Sequence, residues 1–210
     1  MYLVKDAYCY HYGSVTLKTE NTNQMFLEGR RDFIQLFGID PWGKGFCYSY
    51  DLFQKLQFDK MGEVSILGIN CGMGSNSLKI KEQLKEQAGN DTVSLYNITM
   101  QKSFLSDLKG ISDKAEYVSD YAVLKNVQKQ YDYIISEQDK NKNYDIYQHI
   151  AWLSKHTKKD GLAIVEMEPD VCAKVVENNG KLVGFFEEIQ VVKDGRSQNM
   201  WMILNRKKKQ

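Results

Sequence analysis

An excess of charge is missing from this sequence: 28 lysines and arginines stand against 27 aspartates and glutamates, a formal net charge of +1 over 210 residues. That balance offers no global attraction for nucleic acid or an anionic lipid surface, and nucleic acid is not expected as a partner. The one basic cluster, Arg206-Lys207-Lys208-Lys209, reads as a solvated terminus. Cysteine patterning is missing too. Cys9, Cys47, Cys71 and Cys172 are scattered with no C-x-x-C pair, which argues against a zinc site or a disulfide framework and fits a reducing compartment. No apolar run approaches the roughly 20 residues a bilayer span requires, and Met1-Tyr2-Leu3-Val4-Lys5-Asp6 lacks the layout of a signal peptide. The expectation is a cytoplasmic protein without a membrane span. Internal repeats and low-complexity tracts are also absent, while a 42% hydrophobic content supports one sizeable buried core plus an appendage.

Two patterns divide the chain. Residues 2–17 are rich in Tyr and Val, alternate loosely and break at Gly13-Ser14, which predicts an extended segment with a turn. Met25, Phe26, Phe33, Ile34, Leu36 and Phe37 recur at helical spacing from Asn23 to Phe37, before Gly38 and Asp40-Pro41 stop the helix. A second short helix is predicted over 50–56. The expected boundary follows, with 1–58 as an N-terminal extension and 59–210 as the main domain. There, short apolar runs at 64–69, 93–98, 115–118, 131–136 and 162–166 alternate with helical stretches at 76–86, 102–108, 122–128 and 143–156. That alternation predicts an α/β fold, a parallel sheet with helices on both faces. Runs at 185–192 and 199–204 flank Asp194-Gly195 and predict a closing antiparallel hairpin.

Ile66-Leu67-Gly68-Ile69-Asn70-Cys71-Gly72-Met73-Gly74 leaves the first of these strands through a glycine-rich turn and enters a helix. Glycine lets backbone approach a ligand closely, and the helix N-terminus offers N–H groups, so the carboxyl edge of the sheet is the expected binding place. A tight strand-to-helix turn uses glycine for purely local reasons as well. Residues 60–205 resemble the class I S-adenosylmethionine-dependent methyltransferases, whose first motif reads acid-x-G-x-G-x-G. Laid on this chain, Gly68 stands for the acid and Asn70 for the first glycine, while Gly72 and Gly74 match. The resemblance implies a Rossmann-like methyltransferase fold with S-adenosylmethionine as cofactor. It places Asn97 where an acid holds the ribose hydroxyls and Asp120 where an acid faces the adenine amine. Glu137, after the fourth strand, becomes the candidate general base. For Asp120 and Glu137 a helix N-cap or a solvated loop acid is the competing role.

The departures have physical content. Gly68 lacks the group that orders the turn and the cofactor's ammonium end, and Asn97 can hydrogen-bond a ribose only without charge assistance. Two readings therefore stand side by side: a methyltransferase, or a module of the same fold that has lost the cofactor and serves as a binding or scaffold unit. A pocket for another nucleotide is the third, since fold alone does not fix the ligand.

Residues 1–42 resemble something different, the C-terminal end of a family 2 glycosyltransferase catalytic domain. His11, Gly13 and Ser14 match its H-x-G-S strand end, and Phe33, Gly38, Ile39 and Asp40 fit the later F-x-x-K-W-G-I-D phrase. The sugar-nucleotide machinery, including any D-x-D motif, is missing, so sugar transfer is not expected from this chain alone. The resemblance implies a glycosyltransferase domain as natural partner and a sugar or sugar-linked methyl acceptor, in polysaccharide or glycoconjugate assembly. His149 and His156 lie seven apart on one predicted helix face, compatible with a site or with packing. Trp42, Trp152 and Trp201 are expected to pack, and Cys71 to be a small turn residue rather than a nucleophile.

Overall fold

The computed structural model describes residues 22–37, 40, 47–137, 145–178, 186, 188–195 and 197–206. The extended segment expected at 2–17, with His11, Gly13 and Ser14, lies outside the described residues, as do Gly38, Ile39 and Trp42. The chain forms two compact units, Met1–Trp42 and Gly43–Gln210. In the first, helix α1 spans Thr22–Phe37, matching the helical periodicity. Arg30 clamps Asp40 with both arms of its guanidinium, Nε donating to Oδ1 at 2.7 Å.

The second unit is built around a seven-stranded sheet. A single-turn helix α2 (Tyr50–Phe53) precedes strand β1 (Val64–Ile69). Helix α3 (Ser75–Ala88) leads to β2 (Val93–Thr99), and a 3-10 turn at Lys102–Phe104 runs into α4 (Leu105–Ile111). Then come β3 (Lys114–Tyr117), a 3-10 segment (Tyr121–Asn126), β4 (Tyr131–Ser136), α5 (Ile146–His156), β5 (Thr157–Met167) and α6 (Pro169–Glu177). Strands β6 (Glu188–Lys193) and β7 (Met200–Arg206) close the unit. The order is β3-β2-β1-β4-β5-β7-β6. The five parallel strands and the antiparallel pair expected from the sequence are both present, with β7 antiparallel to β5 as well as to β6.

Side-chain alternation splits the core in two, as the two-residue period of a strand dictates. On one face Val64, Ile66, Leu95, Ile135 and Ile203 pack beneath Leu52, Phe53, Leu56, Phe58, Ile80 and Leu84. The segment 49–58 thus packs on the sheet, with Leu52 fully buried and Phe58 1% exposed. On the other face Leu67, Ile69, Ile98, Ile134, Met202 and Leu204 meet Ile150 and Leu153 of α5 and Val175 of α6. At the amino edge Asp132 accepts from Ser65 N at 2.8 Å, Ser65 Oγ at 3.0 Å and Lys158 Nζ at 2.7 Å, with Lys60 Nζ at 3.3 Å.

Where elements differ from expectation, local reasons are visible. The helix expected at 122–128 is the shorter 3-10 segment, because Leu124 alone of it is buried and too small an apolar face remains to hold α-helical turns. A cavity of about 460 Å³ lies beside it, lined by Tyr96, Ile98, Val118, Val123, Leu124 and Tyr131 among others. Strand β5 begins five residues earlier than 162: Asp160 adopts φ 62° and the pairing with β4 shifts register between Tyr131 and Tyr133, so Lys159-Asp160-Gly161 is an irregular stretch within the strand. Helix α6, which the sequence reading did not draw, starts with Pro169 in its first turn and buries only Cys172 and Val175.

Candidate functional site

The turn after β1 determines the geometry of the carboxyl edge. Three alternate residues, Asn70, Gly72 and Gly74, have φ of 56°, 55° and 89°. This left-handed backbone suits glycine and is tolerated by asparagine. Gly74 N donates to Cys71 O at 2.7 Å, and Leu78 N to Gly74 O at 2.8 Å, which starts α3 directly above the strand end. A Cβ on Gly74 would lie 2.3 Å from Ile111 Cδ1 and 3.0 Å from Leu108 Cδ2, so this glycine also lets α4 close against the turn. Cys71 is 1% exposed, with Sγ near the carbonyls of Ile69 and Ile135, and burial pushes its thiol well above the ordinary range. It packs, as expected.

Gly68 and Asn97 are neighbours across the β1–β2 register. The carboxamide of Asn97 occupies the space a side chain at 68 would need: a Cβ there would sit 2.0 Å from Asn97 Oδ1 and 2.8 Å from Ser77 Cβ. Asn97 is 1% exposed, accepts from Ser77 Oγ at 2.9 Å and donates to Ser112 Oγ at 2.8 Å. Gly68 and Asn97, two of the three positions at which the chain departs from the family pattern, are thus one packed unit under α3.

Asn70 bridges the edge. Its N–H donates to Ile98 O at 2.8 Å, its Oδ1 accepts from Met100 N at 2.8 Å, and its Nδ2 donates to Tyr121 OH at 3.0 Å and lies 3.3 Å from Met100 Sδ. Tyr121 OH in turn donates to Glu137 O at 3.3 Å. Glu137 stands at the switch point between β1 and β4, its N–H donating to Ile69 O at 2.9 Å. It is 5% exposed, and its Oε1 accepts from Asn76 Nδ2 at 2.8 Å, while Asn76 Oδ1 takes the Ser49 N–H at the start of α2. Asp120 is exposed and caps the 3-10 segment, Oδ1 accepting from Ala122 N at 2.8 Å.

The structure therefore brings Asn70 and Glu137 into one network through Tyr121, holds Gly68 with Asn97, and leaves Asp120 on the rim. Sequence reasoning missed Tyr121, Asn76, Ser77 and Ser112. Asn76 and Ser77 were legible in principle, being polar residues at the first turn of a helix that leaves a glycine turn. His149 packs behind the site, its Nε2 2.9 Å from Ser136 Oγ and its ring edge-on to Tyr121, and burial pulls its pKa down to about 3. His156 is separated from it by Trp152, whose ring stacks on it at 4.0 Å; both histidines serve packing. Among the described residues no group of three or more His, Cys, Asp or Glu is arranged to hold a metal ion, and no helix is long and apolar enough to cross a membrane.

In sequence, no family model matches the chain and neither does any curated protein. In structure it is similar to a methyltransferase from Pyrococcus furiosus, at 12% identity and a TM-score of 0.57 over 90% of this chain and 100% of that one. A Listeria monocytogenes protein assigned to the class I S-adenosylmethionine-dependent methyltransferases is similar over 92% of this chain and 76% of its own, at 15% identity and a TM-score of 0.54. Human methyltransferase-like protein 13, in complex with SAH, covers 71% of this chain and 74% of its own at 13% identity and a TM-score of 0.51. At such identities the likeness is one of architecture: the chain has the Rossmann-like methyltransferase fold.

Proposed function

We propose that residues 59–210, together with the packed segment 49–58, form an S-adenosylmethionine-dependent methyltransferase-like domain that receives its nucleoside at the carboxyl edge of the sheet. One observation carries this reading: the left-handed turn Asn70, Gly72, Gly74 delivers α3 directly over the end of β1, beside the β1–β4 switch point. Backbone at Gly72 can approach a ligand closely, and the first turn of α3 favours a carboxylate. The cofactor supplies an activated methyl group on sulfur, and the fold's contribution is to position an acceptor against it. Glu137, oriented by Asn76, is the carboxylate at the switch point for taking up an acceptor hydroxyl's proton. The His11-Gly13-Ser14 and Phe33…Gly38-Ile39-Asp40 phrases support a glycosyltransferase domain as natural neighbour, hence a sugar or sugar-linked acceptor in the cytoplasm.

A second reading, a non-catalytic module of the same fold, is favoured by the engagement of Asn97 under α3 and of Asn70 across the edge. Calorimetric titration of the full chain with S-adenosylmethionine and S-adenosylhomocysteine decides between them. Saturable micromolar binding, roughly −8 kcal/mol, that is lost in Gly72→Asp supports the first reading. Silence toward both compounds from folded protein leaves the second.

A further inference from the structure

Resting on the nucleoside-binding reading, we propose that Asn70 is a self-occupying gate whose carboxamide stands where the vicinal hydroxyls of a ribose would bind. Three elements meet at this side chain. It rises from the end of β1, accepts from the Met100 backbone N–H just beyond β2, and donates to the Tyr121 hydroxyl at the start of the 3-10 segment. A ligand laid from a glycine turn to the end of the second strand crosses this line, because that is where the phosphate or amino-acid end and the ribose are held in doubly wound sheets.

The partners of Asn70 have the chemistry a diol needs. Met100 N–H is a donor and the Tyr121 hydroxyl both donates and accepts, so two adjacent hydroxyls can replace the amide oxygen and amide nitrogen one for one. The side chain at the end of β2 that would otherwise serve is committed elsewhere: Asn97 is buried between Ser77 and Ser112. Ribose recognition thereby passes to the groups now holding Asn70. The backbone of Asn70 supports the same conclusion. Its φ of 56° is a conformation glycine adopts without cost, so the side chain is not needed to shape the turn, only to span the edge. Nucleoside binding then requires the carboxamide to swing out, and resting affinity is reduced by the fraction of time it stays in.

The test is calorimetric titration of the full chain with S-adenosylhomocysteine, using the wild type, Asn70→Gly and the isosteric Asn70→Asp. Thermal melting first establishes that each is folded. Asn70→Gly is expected to bind at least tenfold tighter than wild type, while Asn70→Asp, which still accepts from Met100 N–H and can accept from Tyr121 OH once that hydroxyl turns from Glu137 O, gains nothing. Equal affinity in all three overturns the gate and leaves nucleoside binding standing. Weaker binding by Asn70→Gly than by wild type makes Asn70 a ligand contact and overturns the gate as well. No binding by any of the three, Asn70→Gly included, overturns the gate together with the cofactor reading beneath it.

Discussion

If Gly68 and Asn97 form one packed unit, their substitutions must be energetically coupled. Gly68→Ala places a methyl group 2.0 Å from Asn97 Oδ1 and 2.8 Å from Ser77 Cβ. The carboxamide can retreat only by giving up the bonds with Ser77 and Ser112, about 1 kcal/mol each, and the contact with the helix adds an overpacking cost of about 1–3 kcal/mol. The single variant is therefore expected to lose about 3–5 kcal/mol. Asn97→Ala loses the same two hydrogen bonds and leaves a small void, for a total of about 3 kcal/mol. In the double variant the bonds are lost only once and the methyl group at 68 no longer opposes a carboxamide, so the sum of the singles overshoots by about 2 kcal/mol. For a chain of this size that coupling corresponds to about 4–8 °C in melting temperature. Urea unfolding of all four proteins, followed by tryptophan fluorescence with slopes checked for constancy, measures it. Additivity to within about 0.5 kcal/mol would refute the packed-unit account.

Further expectations concern other parts of the unit. His149 is held neutral by burial, its pKa lowered from 6.5 to about 3, so the unfolded chain takes up a proton that the folded one refuses. Its contribution is complete above pH 6.5 and lost as pH falls toward 3, with a limiting slope of about 1.4 kcal/mol per pH unit; denaturant midpoints measured from pH 7 to 4 should fall in wild type and flatten in His149→Gln. For Asp132, burial pushes the carboxyl up, but Lys158, Ser65 and Lys60 outweigh it and leave the pKa below 3.8. This stabilisation is present above 3.8 and lost as pH drops through the folded value, so Asp132→Asn should cost about 2 kcal/mol at neutral pH and progressively less in acid, as read by unfolding at pH 7 and pH 2.5. Asp120→Ala should destabilise by about 1 kcal/mol through the lost cap, and amide exchange should show faster opening confined to residues near 121–126.

The architecture was legible because its parts have strong local signatures. Val64–Ile69 and Tyr131–Ser136 are apolar runs bounded by polar or glycine residues, and their limits match the strands observed. Helix α6 was missed for its length: Val171, Cys172 and Val175 keep helical spacing, but nine residues are too few for the periodicity to stand apart from a loop. The site was half legible. Glycines at 72 and 74 announce a left-handed turn, but that Gly68 is empty to admit Asn97 is a fact about two strands side by side, and only register reveals it. Tyr121 was unreadable for the same reason. Its partners Asn70 and Glu137 lie 51 and 16 residues away, on strand ends that the sheet alone brings together.

The strand order has a consequence for biosynthesis. β7, the last of the described strands in chain order, is an interior strand, inserted between β5 and β6. A ribosome that has delivered everything through β6 has made a sheet whose β5 edge is still bare and whose outermost strand has nothing to pair with. Met202 and Leu204, fully buried on one face, and Trp201, 2% exposed, arrive in that same final stretch. Completion of both cores therefore waits on residues 200–206, and a nascent chain halted a few residues short of them exposes the open β-edge that chaperones and aggregates compete for.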